Sequence, residues 1–338
     1  SPNGIHTGVL ARSEILSYLC GLCSGDGGPS FTKKTLKMNA YGLRTRQFMQ
    51  GLKDLNPLQI ILDQASNYSD NKLPKSQRNI KYVSNFKEVK QLVKDYQPDF
   101  VIAVNNYTAY LASKLPGEFY LVADLNGWLP AESQAYCAVK DEDTISLLHL
   151  RREKKILQRA DYITTVSPAQ QQATIGELAL MGRLNSANLY KKMVGVIENA
   201  QITNFDAIYN QEDLGLDLPK NSLKGLWLGA FNNWADELCL FRAIKKVIKK
   251  NPNFQLIMTG AQEDVFGNQK YENFLRLIKE AKISANVHNL GYIDYLDFKS
   301  LIEFCDLGIV TDLDIYETQM GARNRINEML KFKTPVVC

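Results

Sequence analysis

The segment Glu317-Thr-Gln-Met-Gly321-Ala-Arg323-Asn-Arg325-Ile-Asn-Glu328-Met-Leu-Lys-Phe-Lys-Thr-Pro335-Val-Val sets a carboxylate, a glycine turn and two arginines ahead of an apolar helix, and a short β run follows. The spacing predicts a helix over Asn324–Lys331 and a strand over Thr334–Val337. A helix start of this kind attracts an anion, because its first backbone N–H groups are free and the positive end of the helix dipole faces outward. Arginine adds a fork of donors that suits phosphate oxygens. A carboxylate one turn or more along accepts hydrogen bonds from hydroxyl groups, and the plainer reading of the run Glu317 to Glu328 is helix capping and surface charge.

The same helix-to-strand unit recurs upstream. Strands are predicted at Gly225–Leu228, Gln255–Thr259, Val287–Gly291 and Leu307–Thr311, with helices at Glu237–Lys250, Tyr271–Ala281 and Tyr295–Glu303. The first half repeats the pattern. Its strands are expected at Ile15–Cys23, Leu58–Asp63, Phe100–Asn105, Phe119–Asp124, Tyr162–Val166 and Met193–Ile197. Its helices are expected at Asn39–Leu52, Phe86–Tyr96 and Asp143–Ala160, and Ser167-Pro168 reads as an N-cap with proline at the first helical position. This alternation predicts an α/β fold of parallel sheets covered by helices. The polar stretch Gln201 to Ser222 marks a boundary. The expected division is a Rossmann-like domain over 1–200, a linker over 201–222 and a second Rossmann-like domain over 223–338. Such sheets bind ligands at the carboxyl ends of their strands, and two of them facing each other leave a central cleft.

A length of 338 residues suits two domains. With 45% hydrophobic and 22% charged residues, the chain falls in the ordinary globular class. No apolar run approaches the roughly 20 residues that span a bilayer. The net charge of +4 gives no argument for nucleic acid. Basic residues cluster at Lys33, Lys34, Lys37, Arg44 and Arg46, and again at Arg242, Lys245, Lys246, Lys249 and Lys250. These read as solvated helix faces, or as contacts with an anionic membrane surface or lipid-phosphate acceptor. The expected location is cytoplasmic, or peripheral on the inner face of the membrane. The six scattered cysteines do not form a disulfide framework, and Cys20-Gly-Leu-Cys23 lies in an apolar run without a second pair. The opening Ser1-Pro-Asn-Gly-Ile-His6 reads as a trimmed or tag-derived start. The close at Val336-Val337-Cys338 falls at the end of an expected strand, so a further C-terminal segment is expected.

Five segments carry candidate chemistry. Ser24-Gly-Asp-Gly27-Gly28-Pro-Ser follows the first strand, and its glycines let backbone approach phosphate or sugar. It is neither a P-loop nor the dinucleotide pattern, and a plain flexible turn is an equal reading. Leu226-Trp-Leu-Gly229-Ala-Phe-Asn232-Asn233-Trp234-Ala-Asp236-Glu237 offers a second backbone-lined loop, with Trp234 either covering a sugar or base or simply packing over the turn. Gly260, which ends the strand Gln255–Thr259, is a further candidate ligand-binding residue. Asn289-Leu-Gly291-Tyr292-Ile293-Asp294 reads either as a strand end that meets the edge of a base or as an ordinary loop. In Val-Ala-Asp124-Leu-Asn126-Gly127-Trp128, Asp124 ends a strand expected to face the cleft, where it orients a sugar or acceptor or simply closes a turn. His149, in a charged helix, reads as structural.

These elements resemble retaining glycosyltransferases of the GT-B fold, family 4. The similar segments are Leu226-Trp-Leu-Gly229, Thr259-Gly260, Leu290-Gly291-Tyr292, Cys305-Asp306-Leu307-Gly308 and Glu328-Met-Leu-Lys-Phe-Lys-Thr-Pro335-Val-Val. In the first half, Arg159-Ala-Asp161-Tyr-Ile-Thr-Thr-Val-Ser167 and Val194-Gly-Val-Ile-Glu-Asn199-Ala200 are similar to the family's end-of-domain strands. The pattern is also similar to bacterial polysaccharide-cluster enzymes, including those that build cyanobacterial heterocyst envelopes.

The resemblance implies transfer of a hexose from a nucleoside-diphosphate sugar, UDP-glucose in type, to a saccharide or lipid-linked acceptor. It implies retention by front-face attack assisted by the leaving phosphate, with no metal, no cofactor beyond the donor substrate and no enzyme nucleophile. The family's paired glutamates, spaced E-x7-E, place Glu328 on the ribose. The first of the pair falls on Met320, so Glu317 takes that role only if the loop bulges. The family's arginine and lysine positions fall on Ala230 and Ala235. Arg323 and Arg325 are expected to supply the missing charge, helped by backbone N–H groups around Gly321. Alternatives are a nucleotide-sugar epimerase, which needs acid/base pairs lining the cleft, and a catalytically silent nucleotide-sugar-binding protein, which suits the lost lysine and arginine. The missing glycine pattern disfavours a dinucleotide oxidoreductase.

Overall fold

The computed structural model describes residues 16–21, 40–55, 57–62, 80–83, 85–200, 216, 218–260, 269–291, 293 and 298–338. The first lobe contains strands β1 (Leu16–Gly21), β2 (Leu58–Leu62), β3 (Ile80–Val83), β4 (Phe100–Val104), β5 (Tyr120–Leu125), β6 (Tyr162–Thr165) and β7 (Val194–Val196). Its helices are α1 (Ala40–Gly51), α2 (Phe86–Tyr96), α3 (Asn106–Ala112), α4 (Leu129–Lys140), α5 (Thr144–Arg159) and α6 (Pro168–Leu180). The second lobe contains β8 (Lys224–Trp227), β9 (Gln255–Met258), β10 (Val287–Asn289), β11 (Leu307–Ile309) and β12 (Val336–Val337). Its helices are α7 (Glu237–Lys250), α8 (Gln269–Glu280), α9 (Phe298–Phe304), α10 (Tyr316–Met320) and α11 (Asn324–Lys331).

Among the described residues the strands form two parallel sheets, ordered β3-β2-β1-β4-β5-β6-β7 and β10-β9-β8-β11-β12. A parallel sheet is covered on both faces, which explains why β4 reads as an unbroken apolar run with Val101, Ala103 and Val104 buried. The helices present apolar stripes to these sheets. In α7, Leu240, Ile244 and Ile248 recur every fourth residue and are buried. Asp236 caps that helix by accepting from Cys239 N at 2.8 Å. In α2, Val89 and Val93 are buried, and Asn85 caps by accepting from Glu88 N at 3.1 Å.

The strand order reverses direction between β1 and β4 in one sheet and between β8 and β11 in the other. Parallel sheets open a crevice at such reversals, outside the carboxyl ends of the strands. The lobes meet there. Helix α10 packs against α4 and α6, and Ser167 Oγ donates to Met320 O at 2.5 Å across the seam. Asn327 Nδ2 reaches Asn199 O at 3.5 Å.

One of the two expectations about basic clusters is revised. Arg44, grouped with a basic surface, is 1% exposed. Its neighbours Lys33, Lys34 and Lys37 lie outside the described residues. On α7, Arg242, Lys245, Lys246, Lys249 and Lys250 are exposed, as on a solvated face. No helix among the described residues is long and apolar enough to cross a membrane.

Candidate functional site

The loops that leave β8, β9 and β10 meet backbone to backbone. Gly260 has φ +67° and donates its N–H to Gly291 O at 2.6 Å. A methyl group on Gly260 would lie 3.0–3.1 Å from the backbone of Gly229 and Ala230. Glycine therefore allows both the left-handed turn and the close approach. Gly229, at φ +93°, donates to Thr259 Oγ1 at 3.0 Å, and its carbonyl accepts from Trp227 Nε1 at 3.0 Å. The loop after β8 is fastened to the end of β11. Asp236 N donates to Thr311 O at 2.9 Å and Leu313 N to Trp234 O at 2.7 Å. Within this loop Asn232 turns the chain, its carbonyl accepting from Ala235 N at 3.0 Å.

Helix α11 points its first turn at this glycine-walled corner. Arg325 lies there, one Nη donating to Ala230 O at 3.1 Å and the guanidinium 5.3 Å from the Trp227 ring. Its Nη1 is buried without a hydrogen-bond partner among the described residues. Burial lowers its pKa from the ordinary arginine value. An orphaned donor of this kind is costly unless something accepts from it.

Arg323 has a different environment. Its Nε donates to Asp312 Oδ2 at 2.6 Å, and its two Nη atoms donate to Glu317 Oε1 at 3.0 Å and Oε2 at 2.6 Å. The guanidinium also lies 5.5 Å from the Trp234 ring, so one face of that half-buried indole is taken. Gly321 closes α10, donating to Glu317 O at 2.8 Å. A methyl group there would come within 2.7 Å of Arg323 Nη1, so its absence makes room for the ion pair. Burial raises the Glu317 pKa while its bonds to Arg323 oppose the rise.

The other expected site residues are dispersed. Glu328 is 5% exposed on α11. Ile293 is half-buried and packs against the apolar cluster that includes Leu226 and Met329. Gly27, Gly28 and Tyr292 lie outside the described residues. The expectation that Asp124 faces the cleft gives way to a buried ion pair. Its carboxylate, 0% exposed, accepts from Arg44 Nε at 3.0 Å, Arg44 Nη2 at 2.8 Å and Thr164 Oγ1 at 2.7 Å. Arg44 also donates to Ile197 O at 2.7 Å and Glu198 O at 3.0 Å, so the pair anchors α1 to the end of the first lobe. His149 Nδ1 lies 2.6 Å from Ser133 Oγ, a contact between α4 and α5.

Sequence reasoning missed a group of first-lobe carboxyls. Glu132 stands in the first turn of α4 and feels Glu317 and Arg323 across the seam. Burial, with Glu317 adding to it, pushes its carboxyl up to about 8. Glu153 on α5 has both oxygens buried without a partner, and Glu177 on α6 accepts from Trp128 Nε1 at 3.1 Å. The available sequence cue was the position of Glu132 just after Asn126-Gly127-Trp128.

No protein-family model matches the sequence, and no curated protein does. Solved structures resemble the fold. Sucrose-phosphate synthase (tll1590) from Thermosynechococcus elongatus aligns with a TM-score of 0.65 at 16% identity, covering 95% of this chain and 80% of that one. Anabaena Alr3699/HepE, in complex with UDP and glucose, aligns with a TM-score of 0.62 at 17% identity, covering 95% and 80%. A glycosyltransferase from Rickettsia africae ESF-5 aligns with a TM-score of 0.56 at 18% identity, covering 96% and 79%. At these identities the likeness defines the architecture. The chain has the GT-B fold, two Rossmann-like lobes facing across a cleft.

Proposed function

We propose that the chain transfers a hexose from a nucleoside-diphosphate sugar, UDP-glucose in type, to a saccharide or lipid-linked acceptor in polysaccharide synthesis. The observation that carries this reading is the corner at the β8/β11 crevice. Glycine-lined backbone and the start of α11 surround the unpartnered Nη1 of Arg325. Such a corner suits a diphosphate. The complex of the similarly folded HepE with UDP and glucose supports the choice of donor class.

In this reading Arg325 grips the diphosphate, while Arg323 works through Glu317. Glu328 on α11 takes the ribose hydroxyls. Breaking the bond between sugar and phosphate builds negative charge on the departing nucleotide, and a fixed guanidinium stabilises that charge more as the bond lengthens. The acceptor oxygen forms the new bond to the anomeric carbon, and its proton passes to the departing phosphate on the same face, which retains the configuration. The donor is a substrate, and no metal takes part. The location proposed is cytoplasmic, or peripheral on the inner face of the membrane.

Incubation with UDP-glucose tests the reading. Slow release of UDP and glucose, with the first-formed anomer matching the donor by proton NMR, supports retaining transfer. Interconversion of the UDP-sugar points to an epimerase. Tight binding without turnover points to a silent binding protein, which the alanines at 230 and 235 would suit.

A further inference from the structure

The turn at Asn126, Gly127 and Trp128 leads into the first turn of α4, the helix on which α10 of the second lobe packs. Glu132 is the acidic residue of that first turn. Its carboxyl lies over Gly127, where a methyl group would come within 1.9 Å of Oε1. Gly127 has φ +114°, so the chain turns sharply there and leaves the space to the carboxyl. Glu132 makes no side-chain hydrogen bond among the described residues, although its backbone N–H donates to Trp128 O at 3.1 Å.

The groups around this carboxyl are already committed or repulsive. On its own lobe, the Trp128 indole donates to Glu177 rather than to Glu132, and Glu153 on α5 adds a like group. Across the seam, Glu317 on α10 is a second like group. Arg323, at the head of α11, is the cation nearby, but its Nε and both Nη atoms are taken by Asp312 and Glu317. A half-buried carboxyl without a side-chain partner among the described residues, beside the seam, keeps its hydrogen-bonding capacity for something that enters the cleft.

We propose that Glu132 is the first-lobe residue that holds a hydroxyl of the donor's hexose, across the cleft from the corner where Arg325 grips the diphosphate. This rests on the donor reading above. A sugar nucleotide anchored at α11 and Gly229 extends its sugar toward Glu317, Arg323 and the facing wall of α4. The raised pKa of Glu132 leaves the carboxyl mainly neutral at neutral pH. A neutral carboxyl donates one hydrogen bond and accepts another, and it adds no charge beside a diphosphate. Ionisation places an anion next to Glu317 and the donor phosphates, and hexose binding weakens.

Calorimetric titration of the whole chain with UDP and with UDP-glucose tests the assignment. Glu132→Ala should bind UDP-glucose roughly five- to tenfold more weakly than wild type, the size of one lost neutral hydrogen bond, with UDP affinity unchanged. Glu132→Gln keeps a neutral polar group and should recover most of that affinity. In wild type, the preference for UDP-glucose over UDP should decline as pH rises through about 8. In Glu132→Gln it should stay flat, and this comparison decides the matter if the alanine variant does not fold. Equal UDP-glucose affinity in wild type and Glu132→Ala, or the same pH profile in Glu132→Gln as in wild type, overturns the role of Glu132 and leaves the donor reading intact. A wild-type chain that binds neither ligand overturns both.

Discussion

Two arginines two positions apart at the head of α11 have opposite surroundings. Arg323 is saturated by Glu317 and Asp312, whereas Arg325 keeps one buried Nη without a partner. The electrostatic consequence differs accordingly. A guanidinium already paired with two carboxylates has little attraction left for a phosphate, and an unpaired one has most of it. Arg325→Ala is therefore expected to weaken UDP binding by about 1.5–3 kcal/mol, the scale of a hydrogen bond to a charged group. Arg323→Ala should act chiefly on stability, because it strands Glu317, a side chain 5% exposed, without its cation. Calorimetry with UDP and thermal melts of both variants separate the two roles. A larger loss of UDP affinity in Arg323→Ala than in Arg325→Ala would reverse the assignment. The sequence placed both arginines at a helix start but did not rank them, since the ranking depends on where Asp312 and Glu317 turn their side chains. Glu132 was hidden for a related reason. An acid in the first turn of a helix is common because it complements the helix dipole, so its identity alone carries no signal.

At the scale of elements, helix α1 shows how a distant pair fixes a local structure. Arg44 and Asp124 are 80 residues apart in sequence, yet they form a buried two-point pair that also engages Thr164 and the carbonyls of Ile197 and Glu198. Removing one partner leaves an uncompensated charge in the interior, which costs more than the pair itself contributes. Asp124→Ala should lower unfolding stability by about 3–5 kcal/mol, read from urea titration. A loss below about 1 kcal/mol, the range of exposed pairs, would mean that solvent reaches the site. Periodicity could not reveal this pairing, because it connects elements on opposite sides of the first lobe's strand reversal. Periodicity did locate elements with strong amphipathic stripes: α2, α7 and α11 begin and end where their patterns predict. It missed α4, whose Leu129-Pro-Ala-Glu-Ser-Gln-Ala-Tyr-Cys-Ala mixes small and polar residues, and the short β3, α3 and α10. Short elements are held mainly by tertiary packing, which sequence pattern does not display.

At the scale of the molecule, the seam between the lobes brings titratable groups together from separate halves of the chain. Helix α10 rests on α4 and α6, and Glu132 faces Glu317 and Arg323 there. Burial contributes most to raising the Glu132 carboxyl from its ordinary value of 4.5 to about 8, and Glu317 adds to the rise. If the lobes part, part of that burial and the Glu317 contribution are lost, and the pKa falls back toward the ordinary value. The closed seam therefore binds a proton that the open seam releases at intermediate pH. Closure is favoured most at the acidic end of this range and weakens as pH rises toward about 8, by at most about 1.4 kcal/mol per pH unit. Above that value the carboxyl is ionised in both arrangements and the effect levels off. Small-angle scattering at pH 6 and pH 9 should thus give a larger radius of gyration at pH 9 in wild type. In Glu132→Gln, which has no proton to release at this position, the change should shrink or vanish. A radius that does not respond to pH in wild type, or that responds equally in Glu132→Gln, would show that the seam does not depend on the charge of this carboxyl. The lobes would then be held by the Ser167–Met320 and Asn327–Asn199 bonds and by the packing of α10 on α4 and α6.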